Sequence, residues 1–348
     1  MNPFSIAFGT EPGQYIQRFL PRDRIINTFT SDNPSTHIFL ISGVRGSGKT
    51  VLLTDLSETL EKEKDWIVVN VTPDVDILNG IITRLYRHPG LDKLFIKAKI
   101  DVSFLGIGVS AEKERISPDP GAILESMLKE LAAKGKKVLI SIDEIVNNNY
   151  VKVFSSTFQL LLRLKLPIYL IMTGLYENIR NLKNEKTLTF LYRAPMEVLE
   201  PLNMNAIARS YAAVFRLSSD QAVEMARLTK GYAFAYQVLG YLCWEEKEKT
   251  GDRLLWENIL PKYDEYLENY SYEKIWSELS GMEKKIVLAL SKKEEYKTAE
   301  IRELLGLQSS EFSVYRERLK KKGLIDTSKY GYLSLSLPRF AEIIQIWA

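Results

Sequence analysis

Residues Gly43 to Thr50 read GVRGSGKT, a match to G-x-x-x-x-G-K-[ST]. The octet lies between an apolar run, HIFLIS (His37 to Ser42), and a helix-forming run that opens VLLTDLSETL at Val51. A strand that passes through a glycine-rich turn straight into a helix gathers backbone N–H groups and a positive helix end at one point, an arrangement suited to a polyanion. Gly46 and Gly48 let the backbone approach closely, Lys49 is expected to reach β and γ phosphates, and the Thr50 hydroxyl to ligate magnesium. The residues expected against a nucleotide are therefore Gly43, Val44, Arg45, Gly46, Ser47, Gly48, Lys49, Thr50 and Val51.

The surrounding pattern extends this unit into a sheet. Short apolar runs recur at Trp66 to Val71, Val138 to Ile142, Ile168 to Met172 and, more weakly, Met196 to Leu199, with helical segments near Thr50 to Lys62, Val75 to Tyr86, Pro120 to Lys134 and Val151 to Lys165. Strands that are apolar throughout are covered on both faces, as in parallel α/β sheets. The stretch Lys99 to Glu112 breaks the alternation and predicts an inserted β-hairpin, either a functional insert or a plain extension of the sheet. From Asn203 to about Lys274 the spacing is helical. From Trp276 it reads helix, helix, helix and a short hairpin around Tyr330-Gly331-Tyr332. The expected division is 1–202, 203–275 and 276–348.

Composition narrows the chemistry. The 348 residues carry a net charge of +3 and a single cysteine, Cys243, with only His37 and His88 as histidines, which excludes an intramolecular disulfide and a cysteine-based zinc site and leaves a carboxylate as the expected catalytic base. Secretory and membrane-spanning patterns are missing from the sequence, so a cytoplasmic protein without a membrane partner is expected. The weak global charge excess does not decide for or against nucleic acid.

The second half of a phosphoryl-transfer site lies in VLISIDEI, an apolar run that delivers Asp143 and Glu144 at its carboxyl end, where open parallel sheets place ligands. Asp143 is expected to hold magnesium through its water shell and Glu144 to polarise an attacking water. In IYLIMTG, Thr173 ends the next strand, where its hydroxyl is expected between γ-phosphate and water. A catalytic glutamate without any N-K-x-D guanine signature favours adenine, and so ATP. The distant alternative of a small-molecule kinase would need an arginine clamp between the loop and Asp143, where Arg84 and Arg87 are scattered candidates.

These residues resemble the AAA+ and STAND branch of P-loop ATPases, and in particular the bacterial and archaeal ATPases related to origin-recognition initiators. FLPRDRII (Phe19 to Ile26) is similar to a segment that contacts adenine in that family, which implies a role for Phe19 and Leu20; Pro21 stands where the family has glycine. GVRGSGKT, LISIDE and LIMTGL resemble its Walker A, Walker B and sensor 1 motifs. Arg193, in LYRAPMEVLEPLN, falls where such proteins place an arginine that meets a neighbour's γ-phosphate, implying a homo-oligomer. TKGYAFAYQVLGYL resembles the lid motif G-[YH]-P-x-x-x-[QR], with Ala233 for proline and no sensor 2 arginine. The resemblance implies a P-loop NTPase parallel sheet followed by an all-α lid and a winged-helix domain, acting as a nucleotide switch.

In the last segment Phe312, Tyr315 and Leu319 share one helical face, and Arg316, Lys320, Lys321 and Lys322 are expected on the other, followed by a wing at Ser328 to Tyr332 with Lys329. From Glu311 to Gly331 there are six basic residues against three acidic, a stripe suited to duplex DNA. A winged helix also docks proteins, and Glu311 and Glu317 would repel phosphate, so DNA and a protein partner both remain open.

Overall fold

The computed structural model describes residues 1–7, 12–102, 119–251 and 254–347, and these form two compact units. The sheet unit comprises Phe19–Ser42 and Lys49–Glu197. The helical unit comprises Met1–Arg18, Gly43–Gly48 and Val198–Ala348.

In the sheet unit the elements run α1 (Phe19–Thr30), β1 (Ile38–Ser42), α2 (Lys49–Glu61), β2 (Trp66–Val71), α3 (Ile77–Arg87), α4 (Asp92–Lys97), α5 (Pro120–Ala132), β3 (Lys137–Ile142), α6 (Asn149–Arg163), β4 (Ile168–Gly174), α7 (Tyr176–Lys183), α8 (Thr189–Tyr192) and β5 (Met196–Val198). The strands lie in the order β2-β3-β4-β1-β5, and the ladders β2–β3, β3–β4 and β4–β1 are parallel. Every residue of β1 and β4 is buried, as the unbroken apolar runs require of strands covered on both faces. Isoleucine, leucine and valine side chains from β1 to β4 and from α3, α5 and α6 form one core. Helix starts are set locally: Asp76 accepts from the Asn79 amide, Asp119 from that of Gly121 ahead of Pro120 at the first turn, and Asn148 from that of Val151.

FLPRDRII lies in helix α1, whose first turn tolerates Pro21 because the amides there have no intrahelical partner. Of the hairpin expected at Lys99 to Glu112, residues 103–112 lie outside the described residues, and Val102 is buried in the sheet core.

In the helical unit α9 (Met204–Phe215), α10 (Ser219–Arg227), α11 (Ala233–Thr250) and α12 (Trp256–Leu267) are followed by a π-helical turn at Glu268–Tyr272 and α13 (Glu273–Ser277). Then come α14 (Gly281–Leu290), β6 (Tyr296–Lys297), α15 (Thr298–Leu304), α16 (Ser309–Lys321), β7 (Ile325–Asp326), β8 (Tyr332–Leu335) and α17 (Phe340–Ile346). The strands pair antiparallel in the order β6-β8-β7. One apolar core runs through this unit from Phe4, which packs against Tyr211, Phe215 and Tyr236, to Phe340 and Ile344. No helix among the described residues is long and apolar enough to cross a membrane.

Candidate nucleotide site

The carboxyl end of β3 and its neighbours gather the polar residues of the sheet unit. Asp143 accepts from the Thr50 hydroxyl at 2.6 Å through Oδ2. Through Oδ1 it accepts from the Thr173 hydroxyl in a short bond and from the Glu144 amide at 2.9 Å. The Glu144 amide also lies 3.3 Å from Thr173 Oγ1, and the Ile145 amide donates to the Thr173 carbonyl at 2.8 Å. Glu144 is exposed and has φ 51°, a left-handed conformation uncommon outside glycine, so the backbone turns sharply where the second carboxylate emerges. Lys49 opens α2 and is 9% exposed.

The parallel register explains why these residues meet. Ile142 pairs with Met172, so Asp143 and Thr173 follow on adjacent strands, and β1, next to β4, leads into the loop that ends at Thr50. Thr173, whose hydroxyl is expected between γ-phosphate and water, is fully buried, and that hydroxyl donates to Asp143. Thr50 and Asp143 present hard oxygen donors side by side, the chemistry magnesium takes. Among the described residues no group of three or more His, Cys, Asp or Glu could hold a metal, so an ion here would draw the rest of its shell from water and phosphate.

The loop itself, Gly43 to Gly48, belongs to the helical unit. Gly43 is buried, and a side chain there would press on Ser47 and Leu199. Val44 lies against Gly323, and the Arg45 guanidinium is 3.4 Å from the Glu278 carboxylate. Two side chains that the sequence reading did not single out bond the loop backbone, those of Arg18 and Tyr232. The lid motif contained Tyr232; no local pattern marked Arg18.

Phe19 and Leu20 are 61% and 87% exposed on the first turn of α1. Arg193 is exposed at the end of α8, in a cleft of about 670 Å³ shared with Lys183, Lys186 and Tyr192, and forms no ion pair among the described residues. The burial of Lys183 lowers its pKa, and its ammonium donates to the Ala194 carbonyl at 3.1 Å.

The basic residues of α16 do not form the single exposed stripe expected. Lys320 is exposed, whereas Arg316 is half-buried and Lys321 is 3.2 Å from Glu317. Lys322, beyond the helix end, turns inward: its ammonium is 2.8 Å from Glu283, a buried carboxylate that also accepts from the Ser280 amide as part of a capping box on α14. Lys329 pairs with Glu295 at 2.5 Å and lies over the Tyr332 ring.

A family model described as a domain of unknown function, DUF8462, matches residues 269–344. No curated protein matches this sequence. Among solved structures, the ORC2 protein of Aeropyrum pernix, described as ADPNP-ADP complexes, is similar at 15% identity and TM-score 0.57, over 93% of this chain and 90% of that one. The CDC6P protein of Pyrobaculum aerophilum is similar at 18% identity and TM-score 0.50, over 97% and 96%. At these identities the likeness establishes the fold alone, an AAA+-like P-loop fold built on the parallel sheet described above.

Proposed function

We propose that this chain binds ATP with magnesium and hydrolyses it as an AAA+-like nucleotide switch, with an output at duplex DNA through the C-terminal segment, read as a winged helix. The observation that carries the nucleotide reading is the cluster of Thr50, Asp143, Thr173 and Glu144 at the carboxyl ends of β3 and β4, next in sequence to a phosphate-binding loop. Nucleotide in the Aeropyrum pernix neighbour adds support.

In this reading Lys49 neutralises the β and γ phosphates. Thr50 and Asp143 hold magnesium, which when bound neutralises charge that develops on the phosphate oxygens. Thr173 fixes the Asp143 carboxylate and the Glu144 amide, and Glu144 orients the water and takes its proton. Phe19 and Leu20 offer an apolar surface for adenine. Arg193 serves a neighbouring copy in a homo-oligomer, an assignment suited to an exposed arginine outside any ion pair among the described residues.

A second reading, a slow or inactive ATPase serving as a nucleotide-gated module that docks a protein on the C-terminal segment, is favoured by the pairing of Lys321, Lys322 and Lys329 with carboxylates and by exposed Leu304, Val314 and Tyr330. The test is nucleotide affinity and phosphate release for the native chain and Lys49→Ala, with duplex DNA binding measured at several salt concentrations. Turnover lost in Lys49→Ala supports the ATPase, and equal nucleotide binding by the two proteins overturns it. A DNA affinity that falls steeply with salt supports the DNA output, and no DNA binding at low salt turns the assignment to the protein-docking reading.

A further inference from the structure

Three consecutive carbonyls of the phosphate-binding loop are each taken by a donor from elsewhere in the helical unit. The Tyr232 hydroxyl donates to the Arg45 carbonyl at 2.6 Å, the Phe234 amide to that of Gly46 at 3.0 Å, and the Arg18 guanidinium, through Nη2, to that of Ser47 at 2.8 Å. A trans peptide is planar and points its N–H away from its C=O, so anchoring these carbonyls sets the direction of the next three amides, those of Gly46, Ser47 and Gly48. The Ser47 amide closes a turn onto the Val44 carbonyl at 3.1 Å. The other two belong to the glycines at φ 74° and 89°, and successive amides bent in this way form an anion-binding concavity.

The donors are themselves held. Arg18 also donates to the Glu200 carbonyl at 2.5 Å; burial pulls its pKa down to about 10, with the Glu200 carboxylate acting against the fall, so it carries its charge behind the loop at neutral pH. The Tyr232 hydroxyl lies 2.6 Å from Ser271 Oγ in the π-helical turn, and its ring stacks on Tyr272 with centroids 6.2 Å apart. Tyr272 in turn donates to the Pro338 carbonyl at 2.6 Å and meets Phe340 edge-on. π-helical turns are rare and concentrate at functional positions.

Gly46 is an independent sign of the same contact. The motif leaves its position open to any residue, yet a methyl group there would overlap the Tyr232 hydroxyl and come within 2.9 Å of Phe234 Cβ. The φ of 74° already favours glycine here, and the contact with Tyr232 and Phe234 leaves no room for a side chain besides.

We propose that Tyr232 and Arg18 are positioning residues of the phosphate-binding loop: they draw its carbonyls back so that its amides face a di- or triphosphate, and Tyr232 ties that geometry to Ser271 and Tyr272. The lid thus acts on phosphate from behind the loop, without an arginine of its own. This rests on the ATP-binding reading above.

The test is titration calorimetry with ADP and with AMP on the native chain, Tyr232→Phe, Arg18→Met, Arg18→Lys and Lys49→Ala. Tyr232→Phe and Arg18→Met should each weaken ADP by about 5- to 30-fold, the effect of one lost hydrogen bond with its acceptor left buried. AMP affinity should hold within about twofold because the loop reads the β-phosphate, and Arg18→Lys should recover part of the loss. A merely structural role would weaken both nucleotides alike. If Tyr232→Phe fails to fold, Arg18→Met and Arg18→Lys carry the same expected split between ADP and AMP. ADP affinity within twofold of native in Arg18→Met, and in Tyr232→Phe where it folds, overturns the proposal, provided Lys49→Ala abolishes ADP binding. ADP binding retained in Lys49→Ala removes the ATP-binding reading itself.

Discussion

Thr173→Val replaces a fully buried hydroxyl with a methyl of nearly the same shape and isolates what that hydroxyl does. In the native chain it donates to Asp143 Oδ1 and lies 3.3 Å from the Glu144 amide, so one atom braces both carboxylate-bearing residues. A hydrogen bond to a charged group contributes about 1.5–3 kcal/mol. At about 1.4 kcal/mol per factor of ten, a loss expressed wholly in the transition state lowers kcat by about 10- to 150-fold. The fold should survive, because Asp143 Oδ1 keeps the Glu144 amide at 2.9 Å and Oδ2 keeps the Thr50 hydroxyl, so the stability loss should stay near about 1 kcal/mol. The assay is phosphate release at saturating ATP and magnesium, with ADP affinity measured in the absence of magnesium. The expected result is a fall in kcat within that range, unchanged metal-free ADP affinity, and recovery in Thr173→Ser. A kcat within twofold of native would refute the bracing role, as would a serine variant no better than valine.

Glu144→Gln should retain ATP binding and lower turnover by about 10²- to 10⁴-fold, seen as ATP retained on the protein after gel filtration. Lys320→Ala should lower the slope of log affinity for duplex DNA against log salt by about one, whereas Lys322→Ala should leave it unchanged, since only Lys320 is exposed. Burial alone would raise the Glu283 carboxyl, but the Lys322 ammonium and the Ser280 amide hold it below its usual value. With the folded pKa depressed, its stabilisation is full above the unfolded value near about 4.3 and is lost as pH falls through the folded one. Glu283→Gln should therefore lower stability by about 2 kcal/mol at neutral pH, with the gap to native closing in acid. Urea titrations followed by tryptophan fluorescence read this well, because Trp244, Trp256, Trp276 and Trp347 all belong to the helical unit.

The sheet was legible because β1, β3 and β4 are apolar over most of their length, as strands covered on both faces are. The strand, loop and helix around Gly43 to Thr50 were legible because the glycines, lysine and threonine are adjacent in sequence. Helix α1 was not, since only Ile25 and Phe29 of its twelve residues are buried, which leaves a weak apolar period. Lys322 misled because a helical wheel extended past Lys321 puts it outward, while the chain has already left the helix and turns it to Glu283. The direction of the Thr173 hydroxyl depends on a neighbour 30 residues away, and the grip on the loop backbone on partners 29 and 187 residues away. Separations of that kind leave no local trace.

The core shared by α9 to α12 and the segment beyond Trp276 determines how this half of the molecule can be cut. Arg339 grips Asp264 through two parallel bonds of 2.8 and 2.7 Å, and Tyr272 stacks on Tyr232, so residues 269–344 excised alone would keep one partner of each pair and forfeit the other. A protease or a gene rearrangement that respects stability must take α9 to α12 along with the C-terminal segment. Amide exchange should show both stretches opening as one cooperative block.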